Sequence, residues 1–343
     1  MPLSKIQTVD NQLIPNLGHR NVIINGAQNI DQRGYGGGAA YYTIGSTGNI
    51  YTIDRWAAFV SGASKIGVAQ VVDAPNSDFR YSAKITSLAA TTVGSGDYYG
   101  YNTALEVNDV QHFGFGTSSP KQFTISFWVK SSLTGNFGIA VRVKPASPAR
   151  SYPTTYTINS ANTWEYKTLT ITAESNTAWT AQGAKGSGFS LWFDLGTGST
   201  FHQTANQYYA GNATAPSGTV QLVATNAATW QITGVQVELG NTATEFEHRP
   251  AGLERSLCER YYQHFGDRQF FATQYQNGYK MAHVHFPTRM RAAPDMSYTT
   301  QGGSSWSTYN VGDTQAKAYA ASAASATANV YIHTVRANAE IDY

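Results

Sequence analysis

The residues best equipped for chemistry in this sequence are aromatic rings set among amides, carboxylates and guanidinium groups, and three stretches hold them. A sugar presents an apolar C–H face ringed by hydroxyls, so a flat ring with polar neighbours is the arrangement that would hold one. The first stretch is Gly94–Asn102, where glycines and Asp97 flank Tyr98, Tyr99 and Tyr101. Read as a loop, it would present its rings adaptably, as paratopes rich in Tyr, Ser and Gly do. The second is a sheet face carrying Trp128, Lys130, Arg142, Trp192 and Asp194, provided that their strands are neighbours. Its alternative is a face covered by another strand, loop or subunit. The third is Phe201–Tyr209, where Tyr208 and Tyr209 either meet a sugar or pack a loop onto a sheet.

Two histidines raise a metal. On a strand His283 and His285 project from one face, and in a three-fold assembly six imidazole nitrogens would converge on an octahedral transition metal. Ordinary surface or interface histidines are the alternative, and no other cofactor is expected. Catalysis finds little support. A glycosidase needs two carboxylates at a set separation, whereas Asp97, Glu106, Asp109, Glu165 and Asp194 stand singly. The sequence has no Gly-x-Ser-x-Gly elbow, phosphate-cradling loop or zinc-protease helix, and no short repeat of the β-helix kind. Cys258 sits in an apolar helical stripe, as a packed thiol would. The expectation is a binding protein without catalytic residues.

The elements that must position these groups are mainly strands. Of the 343 residues only 13% are charged, against about 25% in an ordinary soluble domain. Thr and aromatic residues favour strands, while Gly and Asn supply the turns. From Asn21 to Glu247 short alternating runs recur: Phe123–Lys130, Phe137–Lys144, Trp164–Thr172, Phe189–Leu195, Thr219–Ala224 and Trp230–Leu239, the last with a bulge at Thr233–Gly234. The turn at Leu133–Asn136 predicts a hairpin between the first two. Many short antiparallel strands without helical patterning predict a jelly-roll β-sandwich over residues 21–250.

Residues 1–20 lack a sustained period and read as an arm, either bound to a partner chain or disordered. Leu253, Leu257, Tyr261 and Phe265 form a helical stripe, which predicts a short helical hinge over 251–268. A small C-terminal β domain is expected over 269–343, with strands at Gly278–Phe286 and Asn329–Val335 around an Ala/Ser-rich tract, Ala316–Ala328. Asp54–Trp56 reads as a core aromatic beside a charge pair, with ligand contact as the alternative, and Glu238, Glu245, Glu247, His248 and Arg249 as an ion-paired closure of the sandwich, with a metal or ligand site as the alternative.

The net charge of +2, with cations scattered along the chain, argues against a nucleic-acid partner. No run of about 18 apolar residues exists for a membrane span, and Met1–Gln7 lacks the apolar stretch of a signal peptide. One cysteine leaves no intrachain disulfide. These features suit a protein assembled in a cytoplasm and used outside it.

Several phrases, in order and at consistent spacing, resemble a family of phage tail-fibre and tail-appendage proteins. They are Arg20–Gly34, Tyr51–Trp56, Ser126–Lys130, Trp164–Tyr166, Ile232–Gly240, Ala243–Pro250, Leu257–Tyr262 and Phe286–Pro294. The resemblance implies an all-β chain whose jelly roll is similar to carbohydrate-binding modules. It also implies a virion location, a homotrimer, other tail or appendage proteins as partners, and host surface polysaccharide as the target. The alternatives in function are a purely structural virion component and a polysaccharide depolymerase.

Overall fold

The structure, a computed structural model, describes residues 19–143, 149–175, 186–265, 270–271, 273–274, 279–301, 306–321 and 331–341. The expected N-terminal arm lies outside the described residues except for His19 and Arg20.

The chain is an all-β protein built on a jelly-roll sandwich. One sheet has six strands, in the order β1 (Tyr42–Thr43), β4 (Ile66–Val71), β5 (Ser82–Ser87), β13 (Thr229–Leu239), β7 (Gln122–Ser131) and β10 (Glu165–Thr172). The facing sheet has seven: β12 (Tyr209–Ala210), β9 (Arg150–Ile158), β8 (Gly135–Val143), β11 (Ser187–Thr197), β6 (Tyr98–Glu106), β3 (Trp56–Val60) and β2 (Gly48–Tyr51). Alternation explains the layering. Phe123, Ile125, Phe127 and Val129 on β7 and Phe137, Ile139 and Val141 on β8 are almost wholly buried, each set pointing into the space between the sheets.

The predicted β7–β8 hairpin does not form. β7 pairs with β10 and β13, and β8 with β9 and β11, so residues 132–134 arch from one sheet to the other. Each strand has one strongly apolar face, and facing the two across a core buries both, whereas side-by-side pairing would place them on one sheet. Thr219–Ala224 is also not a strand. Leu222 and Val223 are both fully buried in a 3-10 turn, Leu222–Ala224, which sends consecutive side chains inward as a strand cannot. The bulge in β13 is present: the register slips between Thr233 and Gln236, and Gly234 takes a φ of +62°.

Aromatic rings fill the middle of the sandwich. Trp56 stacks on Tyr101 with centroids 5.2 Å apart, and Trp230 donates its indole N–H to the Tyr156 hydroxyl at 2.9 Å. On the outer face of the seven-stranded sheet, Phe59 reaches the Trp192 ring by lying over Gly100. A Cβ there would meet the Phe193 carbonyl oxygen and the Phe59 ring at 2.3 Å. Gly100→Ala is expected to cost about 1–3 kcal/mol, the usual range for overpacking, read as a lowered urea midpoint at unchanged m-value; an unchanged midpoint would contradict the close approach.

After the sandwich comes α2 (Ala251–Glu259), which follows the four-residue α1 (Val107–Val110). The helical stripe ends earlier than its spacing predicts. Tyr262–His264 is β14, pairing with β21 (Tyr331–Asn338), because the ladder gives Gln263 and His264 backbone partners outside the helix. β21 also pairs with β15 (Phe270–Phe271) and β18 (Asp295–Gln301). A second small sheet holds β16 (Thr273–Gln274), β17 (Tyr279–His285), β20 (Gln315–Ala321) and β19 (Trp306–Val311), so the start of the Ala/Ser-rich tract is strand. Small residues line their contact: Ala282, Val284, Ala316 and Ala318 are fully buried.

Buried charge joins the sandwich to this region. Glu340 accepts ion pairs from Arg55 and, at 3.2 Å, from Arg33, which also lies 3.9 Å from Asp54. Glu106 at the end of β6 receives Arg260 at 2.9 Å and the Tyr261 hydroxyl at 2.8 Å. The Arg55 guanidinium sits 3.5 Å over the Tyr261 ring and that of Arg33 3.7 Å over Tyr262. Arg55 holds a left-handed φ of 69°, a conformation that its surroundings must over-determine. The closure expected at Glu238–Arg249 is present in modified form. Glu247 accepts the backbone N–H groups of His19 and Asn21, and Arg249 pairs with Glu254 while donating to the Ile23 carbonyl.

Candidate functional site

The sheet face expected to carry Trp128, Lys130, Arg142, Trp192 and Asp194 divides in two. Trp128 and Lys130 lie on the outer face of the six-stranded sheet, and the other three on the opposite side of the molecule, on the outer face of the seven-stranded sheet. The cause is the arch after β7, which places β8 in the other layer. On the far side Trp192 is 6% exposed, packed edge-on against Phe59 with centroids 4.4 Å apart and donating its N–H to Ser190. Arg142 stacks 3.8 Å over Trp192 and donates to the Asn212 carbonyl at 2.9 Å, pinning the strap after β12. Burial pushes the Arg142 guanidinium down to about 9. Asp194 is fully buried, accepting the Gly196 N–H and the Thr219 hydroxyl, and burial raises its carboxyl. This side holds a second packed layer, not an open platform.

The tyrosine-rich stretch is no loop beyond Asp97. Tyr98 begins β6, and its alternation sends Tyr99 and Tyr101 into the core at 2% and 0% exposure. Asp97 closes the turn before it, accepting the Gly94 N–H and the Ser61 hydroxyl. Tyr208 packs against Tyr152 with centroids 4.9 Å apart and donates to the Thr172 carbonyl, so it fastens a loop to the sheets. Tyr209 lies on the edge strand β12 and meets the Gln207 side chain. His283 and His285 share one exposed face of β17, with Lys317 and Gln315 opposite them. Among the described residues no three His, Cys, Asp or Glu side chains are grouped to hold a metal.

The arrangement that remains open is on the six-stranded sheet. Trp128 on β7 and Tyr166 on β10 stand directly opposite each other, their rings 5.2 Å apart and inclined by 47°. Tyr166 is 42% exposed and Trp128 half-buried. One step along β7, Lys130 lies 5.0 Å from the centroid of Trp164, the residue just before β10. Asp73, from the connection between β4 and β5, receives both the Lys130 ammonium and the Trp164 indole N–H, the latter at 3.2 Å. Its side chain is nevertheless 40% exposed. Partial burial works against ionisation of Asp73, but the bonds from Lys130 and Trp164 outweigh it and hold the carboxyl below its usual range. The neighbouring Val72 is 76% exposed. An aromatic half and a polar half thus adjoin, so a pyranose ring laid on Trp128 and Tyr166 would turn its hydroxyl edge toward Asp73 and Lys130.

Of this group, Trp128 and Lys130 were legible as outward members of an alternating strand. Trp164 and Tyr166 carry the same i, i+2 signal, but alternation alone does not say which face of their strand stays open. Asp73 has no sequence signal, since it arrives from a loop.

Of the other carboxylates, Glu106 and Asp109, expected to stand singly, are brought together at the start of α1, and Glu165 lies apart. Glu106 is engaged at the junction, and Asp109 beside it is raised by burial and then by Glu106. Glu165 is at a turn, where partial burial is outweighed by Lys167 and the N–H groups of Ser160 and Asn159, holding it at about 2.

The sequence matches no protein-family profile and no curated protein. Among solved structures it is similar to the enzymatically active domain of bacteriophage CBA120 tailspike protein 4, at 12% identity and a TM-score of 0.35 over 64% of this chain and 22% of that one. It is also similar to the family 11 carbohydrate-binding module of Clostridium thermocellum, at 13% identity and 0.28 over 59% and 99%. A third is the N-terminal cellulose-binding domain of Cellulomonas fimi β-1,4-glucanase C, at 14% and 0.29 over 55% and 90%. At these values the likeness adds nothing to what the strand order already shows.

Proposed function

We propose that this chain is a virion tail-fibre or appendage subunit that binds host surface glycans through the outer face of its six-stranded sheet and performs no catalysis. The observation that carries the binding is the Trp128–Tyr166 pair, half-buried at Trp128 and exposed at Tyr166, beside Asp73 and Lys130. Large exposed aromatics with a polar rim mark interaction surfaces. The ordered phrases from Arg20 to Pro294 support the appendage part of the reading, and a homotrimer belongs to it by the same resemblance.

Adsorption competition tests the proposal. Purified protein is expected to bind cells of the host and slow attachment of the phage that carries this chain, while releasing no new reducing ends or unsaturated products from host polysaccharide. If it neither binds the cells nor slows attachment, the receptor role fails and a structural virion role takes its place. Appearance of new ends would make the chain a depolymerase.

A further inference from the structure

The charges on the same face go further than the platform alone. Across β5, β13 and β7 the register sets Lys84, Gln231 and Lys130 in one row, the outward residues between inward neighbours Ala83, Ile85, Trp230 and Ile232, all fully buried. The row lies one outward position from Trp128, whose partner on β13 is Thr233. Asp73 neutralises Lys130, but among the described residues Lys84 has no carboxylate within ion-pair distance. Lys84 and Lys130 are half-buried and Gln231 is buried, so two ammonium groups stand on this face against one carboxylate, with the uncharged Gln231 amide between them. A half-buried ammonium beside an aromatic platform attracts an anion more strongly than a fully solvated one, because low-dielectric walls screen it less.

Resting on the sugar-binding reading above, we infer that this face selects an acidic glycan, whose carboxylate or other anionic substituent lies along the Lys84–Lys130 row while a sugar ring covers Trp128 and Tyr166. A neutral glycan would leave Lys84 without a counter-charge and gain nothing from it.

Titration calorimetry of the intact protein with polygalacturonate, alginate and hyaluronan, each beside its own carboxyl-reduced form, tests this. At least one acidic polymer is expected to bind about tenfold more tightly than its reduced form, with a preference that shrinks as salt rises. Lys84→Gln is expected to remove most of that preference and leave binding of the reduced form unchanged. Trp128→Ala is expected to weaken both forms. Equal affinity for the two forms, or an undiminished preference in Lys84→Gln, overturns the inference and leaves sugar binding standing. Absence of binding to all six polymers counts against the sugar-binding reading itself.

Discussion

Alanine at both Trp128 and Tyr166 is expected to reduce glycan affinity by roughly a hundredfold or more. Central aromatic contacts at binding surfaces each account for about 2 kcal/mol or more, and about 1.4 kcal/mol is a factor of ten. The rings touch, so each single substitution should cost more than half of the total, a coupling that a double-mutant cycle would read. Stability should move little, because both side chains point away from the core that Phe127 and Val129 fill. A double variant that folds normally and binds cells like the parent would place the receptor site elsewhere on the molecule. Trp192→Ala supplies the contrast: it should lower the melting temperature through loss of the contacts with Phe59 and Arg142, with affinity retained in the folded fraction.

The largest stability effect is expected at Arg55. Arg55→Met leaves Glu340, itself 3% exposed in its side chain, without one of its two cations, and breaking a buried pair from one side costs about 3–5 kcal/mol. Urea unfolding should show this as a lowered midpoint, and a loss below about 1 kcal/mol would mean that the pair is solvated in solution. Adding Glu340→Leu should recover part of the loss, since that carboxylate no longer remains uncompensated, though Arg33 then keeps only Asp54 of its two carboxylate partners. The same cluster carries a pH signature. Burial, opposed by Arg33 and by the Gln32 bonds, pushes Asp54 up to about 6 from 3.8. The folded chain therefore takes up a proton more readily than the unfolded chain, so this group's contribution falls as pH rises through the window from about 4 to 6 and is flat above it. Asp54→Asn should remove that slope; identical pH profiles of the two proteins would show that Asp54 stays ionised.

What the sequence revealed and what it hid divide along one physical line. Alternation is local, so the inward faces of β7, β8 and β11 and the bulge at Gly234 were readable from neighbours in the chain. Sheet membership is not local. Nothing in Leu133–Asn136 distinguishes a hairpin turn from an arch, because the difference lies in what the two apolar faces meet, and that choice decided whether Trp128 and Trp192 shared a surface. The glycine-flanked tyrosines misled for a related reason. Gly94 and Gly96 do mark a turn, but Gly100 is there to let Phe59 cross the sheet, so its presence spoke of packing where it suggested flexibility. Asp73 was invisible because its meaning comes from residues at positions 130 and 164.

The position of Glu340 has a consequence for how the chain is made. Arg55 belongs to a strand turn near the start of the sandwich, yet its carboxylate partner is encoded 285 residues later. During synthesis the sandwich strands can pair as they emerge, but Arg55 lacks its ion-pair partner Glu340 until the ribosome has delivered the residues beyond β21. Closure of the junction thus waits for Glu340, which withholds a fully stable sandwich from a product that stops before that residue.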